Sequence, residues 1–328
     1  TTSGNTGLLI GGGVAVGALA LGGGGGGGGG CSAEAITLTS TNQVTEGGTA
    51  TITATLAAPS TRNLTINLTV SGSTDDYSPP SPISIPIGSS SGTSSLVTLD
   101  DAIYEGDETK TISSQGRCTL PNSTSLVILE NEQAPRVSFT LSQTSLAENA
   151  SLSTEQITIT ATTDQIADED MTVYFLSNGE GALRNDYFVN DGSSVIIPAL
   201  SSTGTGNISP IDDEIYEGDE TTSLYINSIE GADAQQGSPS RESFTITEDD
   251  PLPNITISGA SPSLSGTNRE DSADSLILNI SSDRKSKSDI VIVFTANGAG
   301  DNAATIGADF TVSNVTISSF ETDGVATV

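Results

Sequence analysis

The chain has 328 residues, 34% of them hydrophobic and 4% aromatic, with no Trp and no His, and 41 acidic side chains against 10 basic ones give a formal charge of −31. That balance repels nucleic acid phosphates and anionic membrane surfaces, and the missing His removes the common base of Ser and Cys hydrolases. With so little apolar material any core must be thin and built from Val, Ile and Leu, which suits small β modules.

The first segment, residues 1–34, matches nothing else in the chain. Leu8, Leu9, Ile10, Val14, Val16, Leu19 and Leu21 form an uncharged apolar run, followed by nine glycines from Gly22 to Gly30. A membrane span needs about twenty apolar residues, and each Gly disfavours helix by roughly 1 kcal/mol, so no spanning segment is expected. The start Thr1-Thr2-Ser3 lacks the basic stretch of a secretory signal. Gly28-Gly29-Gly30-Cys31 resembles a lipoprotein cleavage site without its aliphatic residue. The alternative is an extended arm with branched residues at strand-like spacing, tethered by the glycines.

From residue 35 the pattern alternates with period two. In residues 35–134, Ala50-Thr51-Ile52-Thr53-Ala54-Thr55-Leu56 and Leu64-Thr65-Ile66-Asn67-Leu68-Thr69-Val70 are apolar on one face and polar on the other. Ile36 to Leu38, Ile83 to Ile87, Ser95 to Leu99, Lys110 to Ser114 and Ser125 to Leu129 complete seven expected strands. Residues 135–252 repeat the order with Val137 to Leu141, Gln156 to Thr162, Met171 to Leu176, Ser194 to Pro198, Gly206 to Ile211, Thr222 to Ile226 and Ser243 to Thr247. Seven short strands divided by Gly, Ser, Pro and Asn turns describe an antiparallel, immunoglobulin-like sandwich. Residues 253–328 open with Ile255 to Ile257, Ser275 to Ile280 and Asp289 to Phe294, and Gly324 to Val328 aligns with Ser95 to Leu99. The third sandwich is thus expected to be incomplete in this chain. The connectors Glu132-Gln133-Ala134-Pro135-Arg136 and Asp250-Pro251-Leu252-Pro253-Asn254 are short and proline-bearing, which limits bending.

One acidic phrase occurs twice, as Asp100-Asp101-Ala102-Ile103-Tyr104-Glu105-Gly106-Asp107-Glu108-Thr109 and Asp212-Asp213-Glu214-Ile215-Tyr216-Glu217-Gly218-Asp219-Glu220-Thr221. So many carboxylates around one Gly make poor core and a candidate cation loop, since calcium takes six to eight hard oxygens in flexible geometry. The bland alternative is a solvated acidic surface. Cys31 and Cys118 lack zinc-type spacing and would both belong to the first sandwich, where they pair or stay free. Eight Asn-x-Ser/Thr sequons, at Asn63, Asn67, Asn122, Asn149, Asn207, Asn254, Asn279 and Asn314, give weak support for secretion.

Four blocks recur in order: Val44-Thr45-Glu46-Gly47-Gly48, Asp76-Tyr77, the acidic phrase, and Val127-Ile128-Leu129-Glu130-Asn131-Glu132 in the first module. The second has Leu146-Ala147-Glu148-Asn149, Asn185-Asp186-Tyr187, the acidic phrase, and Ile246-Thr247-Glu248-Asp249-Asp250. Over residues 36 to 328 the chain resembles the Calx-beta family, a calcium-binding β-sandwich found in sodium/calcium exchangers, integrin β4 and microbial adhesins. The resemblance implies calcium as cofactor. Its ligands would be Glu46, Asp76, Asp100, Asp101, Glu105 and Glu108 in the first module. In the second they would be Glu148, Asp186, Asp212, Asp213, Glu217, Glu220, Asp249 and Asp250, with the carbonyl of Ile215. Glu130 and Glu132 depart from the Asp usual at the close of the last strand. In the third module Gly266 stands where the others have Glu46 and Glu148, and Asp309-Phe310 replaces Asp-Tyr, so no intact site is expected there.

Gly88-Ser89-Ser90-Ser91-Gly92 fits G-x-S-x-G but lies between two strands and reads as a hairpin loop. Paired carboxylates could cleave glycosides, but here they coincide with the calcium pattern, so no enzyme is expected. The leading expectation is a secreted structural subunit, a calcium-stiffened rod that polymerises with copies of itself. Its N-terminal arm would enter the incomplete third sandwich of the next copy by donor-strand insertion. The alternative is a fragment of a long calcium-binding cell-surface adhesin, with cell-surface glycans or other cells as partners. Both place the chain outside the cell or on its surface.

Overall fold

The structure is a computed structural model that describes residues 31–150, 155–178, 186–189, 193–259, 277–295 and 311–327. In the first unit the strands are β1 (Ile36–Ser40), β2 (Gln43–Thr45), β3 (Thr49–Leu56), β4 (Leu64–Val70), β5 (Tyr77–Ser78), β6 (Ile83–Ile85), β7 (Ser91–Thr98), β8 (Ile103–Tyr104), β9 (Glu108–Gly116) and β10 (Thr119–Leu129). They form a four-stranded sheet, β1-β3-β7-β5, and a five-stranded sheet, β2-β10-β9-β4-β6, while β8 stands apart from both. Between the strands of these two sheets pairing is antiparallel except at one edge, where β2 runs parallel to β10 with Ile128 opposite Val44.

The alternation read in the sequence decides which face is buried. Along β3, Ala50, Ile52, Ala54 and Leu56 point inward and the threonines between them outward or to the rim. Ile36, Leu96 and Tyr77 from one sheet meet Ile66, Ile83, Ile112 and Leu126 from the other in a single core. Each such side chain contributes roughly 1.5–3 kcal/mol on full burial. Cys31 and Cys118 form a disulfide with Cα atoms 5.6 Å apart, tying the start of the first unit to its last hairpin.

The second unit comprises β11 (Arg136–Leu141), β12 (Ser145–Ala147), β13 (Ile157–Thr163), β14 (Ile166–Ala167), β15 (Met171–Asn178), β16 (Tyr187–Val189), β17 (Ser194–Ile197), β18 (Thr203–Pro210), β19 (Ile215–Tyr216), β20 (Glu220–Glu230), β21 (Gln235–Gln236) and β22 (Arg241–Thr247). Its sheets are β16-β18-β13-β11-β21 and β12-β22-β20-β15-β17. Phe139 and Phe175 meet edge to face at 5.0 Å in the core between them, an arrangement worth about 0.5–1.5 kcal/mol beyond area.

The third unit has β23 (Ile255–Gly259), β24 (Ile277–Ser282), β25 (Lys285–Ser286), β26 (Ile290–Ile292), β27 (Val315–Ile317) and β28 (Asp323–Thr327). The sheets described are β23-β24-β28 and β26-β27, around a small core of Ile280, Val315 and Ile317. β28 pairs with β24 as β7 does with β3, in agreement with the alignment of Gly324 to Val328 with Ser95 to Leu99. Ile277, Val291, Val293 and Val325 are exposed.

Two features depart from the sequence reading. The Gly88 to Gly92 segment does not close a hairpin, because β6 and β7 lie in opposite sheets, so the segment crosses the sandwich. Successive units are also linked by more than their connectors. β8 of the first unit pairs with β14 of the second, Ile103 opposite Ile166 and Tyr104 opposite Ala167. β19 pairs in the same way with β25 of the third, Ile215 opposite Lys285 and Tyr216 opposite Ser286. Residues 1–30, with the apolar arm, lie outside the described residues, as do Gly266, Asp309 and Phe310.

Candidate cation clusters at the unit junctions

Each acidic phrase is folded by its own backbone and by one glutamate from the closing strand. Asp101 Oδ1 accepts the amide of Ile103 at 2.7 Å, and Asp213 Oδ1 that of Ile215 at 2.7 Å, the local turns that Asp favours. Glu130 Oε2 then accepts the amides of Glu105 and Gly106 at 2.6 and 2.9 Å. Glu248 Oε2 does the same for Glu217 and Gly218, at 2.5 and 2.6 Å. The glycines sit at φ +75° and +77°, the left-handed region that side chains resist. Burial alone would raise Glu130, but the amides of Glu105, Glu132 and Gly106 hold its carboxyl below the ordinary range.

Two carboxylate clusters result in each complete unit. A closing-strand cluster joins Glu46, Glu130 and Glu132 in the first unit, and Glu148, Glu248 and Asp249 in the second. A loop cluster joins Asp76, Glu105 and Glu108, and correspondingly Asp186, Glu217 and Glu220. Within each cluster one ligand oxygen per residue lies within 4.8 Å of the others.

The electrostatics of the closing-strand clusters are unfavourable without a cation. Burial, reinforced by Glu130, Glu132, Glu105 and Asp101, pushes the Glu46 carboxyl up to about 8. Burial with Glu248, Asp213, Glu217 and Asp249 does the same to Glu148, also to about 8. Glu148 is 4% exposed, and among the described residues its carboxylate has neither a hydrogen-bond donor nor a cationic partner. A buried, unpaired carboxylate costs several kcal/mol unless it is protonated or meets a cation. An all-oxygen set of this kind fits a hard divalent ion such as calcium, and Glu148 is the oxygen donor left waiting for one.

The loop clusters differ, because each already contains an ammonium. Lys110 Nζ lies 2.5 Å from Asp76 Oδ2 and 2.7 Å from Glu108 Oε2, with its side chain 4% exposed. Lys287, from the third unit, bonds Glu220 Oε1 and lies 3.6 Å from Glu217 and 3.9 Å from Asp186. Burial still pushes Glu105 and Glu217 up to about 7, with Asp76 and Asp186 the largest charge contributions. At the first junction a cleft of about 630 Å³ opens, lined by Glu105, Asp107, Asp168 and Asp233 together with Tyr104.

Of the residues singled out in the sequence, the structure gathers Glu46, Asp76, Glu105, Glu108, Glu148, Asp186, Glu217, Glu220 and Asp249 into clusters. Asp100, Asp101, Asp212 and Asp213 are exposed and belong to none of them. Asp100 instead accepts Asn131 Nδ2 at 2.7 Å. Ile215 lies in the bridge to the third unit. Asp250 is in none of these clusters: Arg284 of the third unit faces its Oδ1 at 3.6 Å, while its Oδ2 is buried without a hydrogen-bond partner among the described residues. Glu248 escaped the sequence reading although Glu130 stands at the corresponding place, and Lys110 and Lys287 were not seen as site residues. Lys110 shares the inward period of Ile112 on β9, which is the signal that could have exposed it.

The family model that matches is the LapA domain, over residues 33–124. That span is the first unit alone, and the matching family is not Calx-beta. No curated protein matches the chain. Among solved structures, a tetra-tandem repeat in the extending region of a large adhesion protein is 14% identical, with 90% of this chain and 73% of that one covered and a TM-score of 0.41. The CBD12 structure from CALX1.2 is also 14% identical, with 63% and 96% covered and a TM-score of 0.27. The Yersinia pseudotuberculosis adhesin InvE is 13% identical, with 65% and 58% covered and a TM-score of 0.33.

Proposed function

We propose that this chain is a non-enzymatic repeat segment of an extracellular, cell-surface adhesin, a calcium-stiffened rod of tandem sandwiches. The carrying observation is that one loop serves two purposes. Glu130 of the closing-strand cluster accepts the amides of Glu105 and Gly106, while Ile103 and Tyr104 of the same loop pair with the next unit. An ion that draws the carboxylates together therefore orders the strand that holds the neighbour. The orphaned Glu148 supports a cation in the second unit's closing-strand cluster. The disulfide supports an oxidising compartment, and the formal charge of −31 keeps such a rod soluble. Small-angle X-ray scattering of the chain in calcium and in chelator tests this reading. The expected result is a long, stiff particle with calcium and a shorter, more variable one without it, magnesium restoring little. An unchanged profile rejects it.

A second reading is favoured by the exposed Ile277, Val291, Val293 and Val325 of the third unit, which a strand from another copy would cover. Here Leu8 to Leu21 of one chain insert into the third unit of the next, giving a head-to-tail fibre. Deleting residues 1–30 would abolish such fibres in electron micrographs, and fibres of unchanged length would rule it out.

A further inference from the structure

We propose that in both loop clusters a lysine ammonium stands in the cation's place, so that the second junction is a clamp closed by Lys287 without any exchangeable ion. This goes beyond the proposed function, and rests on it only for what fills the closing-strand clusters.

The two lysines come from different places and reach equivalent positions. Lys110 belongs to the first unit's own strand β9, two residues after Glu108. The equivalent residue of β20 is Thr222, a buried hydroxyl without a hydrogen-bond partner. In the second unit the charge arrives instead from the unit that follows. Lys287 comes directly after β25, and its amide bonds Tyr216 O at 3.0 Å. Asp168 comes directly after β14, and its amide bonds Tyr104 O at 3.2 Å. The two junctions are therefore built alike, with opposite charges at the same place: an aspartate faces the loop cluster that has its own lysine, and a lysine faces the one that lacks it. Each loop cluster has one ammonium among the described residues.

The surroundings fit an ammonium. Gly72, at φ +88°, passes so close to Lys110 that a Cβ there would lie 3.0 Å from Nζ, so the backbone leaves the space the charged head needs. Asp76 and Glu108 accept two of its three N–H donors. Lys287 bonds Glu220, which is 7% exposed, with Glu217 and Asp186 completing the negative wall. Burial lowers both lysines, but hydrogen bonds and charge from these carboxylates outweigh it and hold both above the ordinary lysine range. A divalent ion entering either cluster would have to expel an ammonium from its partners, whereas among the described residues no ammonium lies in the closing-strand clusters. Among the described residues the first junction has no such cross-unit cation, and Asp168 adds a further negative charge there.

Two measurements on the full chain test this. Calorimetric titration with calcium should give one ion per closing-strand cluster in the wild type. Lys287→Met should add one more, and Lys110→Thr, which copies the second unit, should also add one. Hydrogen exchange in chelator should find the β19–β25 amides protected in the wild type, about tenfold faster in Lys287→Met, and protected again in Lys287→Arg. The β8–β14 amides should already exchange freely in chelator. Unchanged stoichiometry and unchanged exchange in Lys287→Met would overturn the proposal, as would a wild-type ion count that falls in Glu220→Gln. If the wild type takes up no calcium at all, the proposed function fails, and the exchange contrast alone still decides this inference.

Discussion

The hydroxyl of Tyr104 donates a hydrogen bond to Asp233 Oδ2 at 3.2 Å, across 129 residues and from one sandwich to the next. The same ring packs against the core of the second unit, although Tyr104 belongs to the acidic loop of the first. This tyrosine is the side chain through which the two units share packing. Tyr104→Ala should therefore remove about 0.5–3 kcal/mol of coupling between them. Calorimetry should then resolve two transitions, and a single unaltered transition would show that the junction does not couple the units.

Glu148→Gln should act with opposite signs on the two forms of the second unit. Without calcium it removes a carboxyl that folding obliges to take up a proton at neutral pH, and should raise the melting temperature by several degrees, since about 1 kcal/mol shifts a domain of this size by about 4–8 °C. With calcium it removes a ligand and should weaken binding about tenfold or more. Thermal melts in chelator and titration calorimetry check the two halves, and a fall in the chelator melt would contradict the reading.

The pH dependence follows from Glu46 and Glu148, both pushed up to about 8 from 4.5. A raised folded-state value stabilises fully below about pH 4.5 and loses that contribution as pH climbs through about 8. In chelator, stability should thus decline between these limits, and Glu105 and Glu217, raised to about 7, add the same sign. Calcium must displace those protons, so its affinity should rise over the same window. Melts and titrations at about pH 5 and about pH 8.5 test both trends.

Cys118→Ser should destabilise the first unit selectively. The disulfide closes a loop between positions 87 apart, and releasing it costs about 4.6 kcal/mol in the chain-entropy account. Denaturant unfolding followed unit by unit should find the larger loss in the first unit, because both cysteines belong to it.

The long strands were legible because burial follows a period of two: β3 and β13 can be traced directly from their alternating Ile, Ala and Thr. The loop clusters were legible in part, since the repeated phrase marks Glu105, Glu108, Glu217 and Glu220 by composition alone. What could not be read depends on the next unit. Ile103-Tyr104 is a strand only because Ile166-Ala167 lies beside it. Asp250 meets Arg284 of the following unit, a partner that no local pattern announces. Lys287 has no local pattern at all, because its partners come from the preceding sandwich. Edge strands of two or three residues, such as β5 and β12, carry too few side chains for a period to register.

The parallel pairing of the second strand with the last, β2 with β10 and β12 with β22, sets how the array carries a mechanical load. When the ends of a unit are pulled apart, two such strands slide along each other, so their hydrogen bonds are strained in shear together rather than peeled one after another. Each complete sandwich therefore resists at its own terminal edge, as the role proposed above requires. Single-molecule stretching would register this as a high rupture force per unit, and a Pro placed at Val44 should lower it.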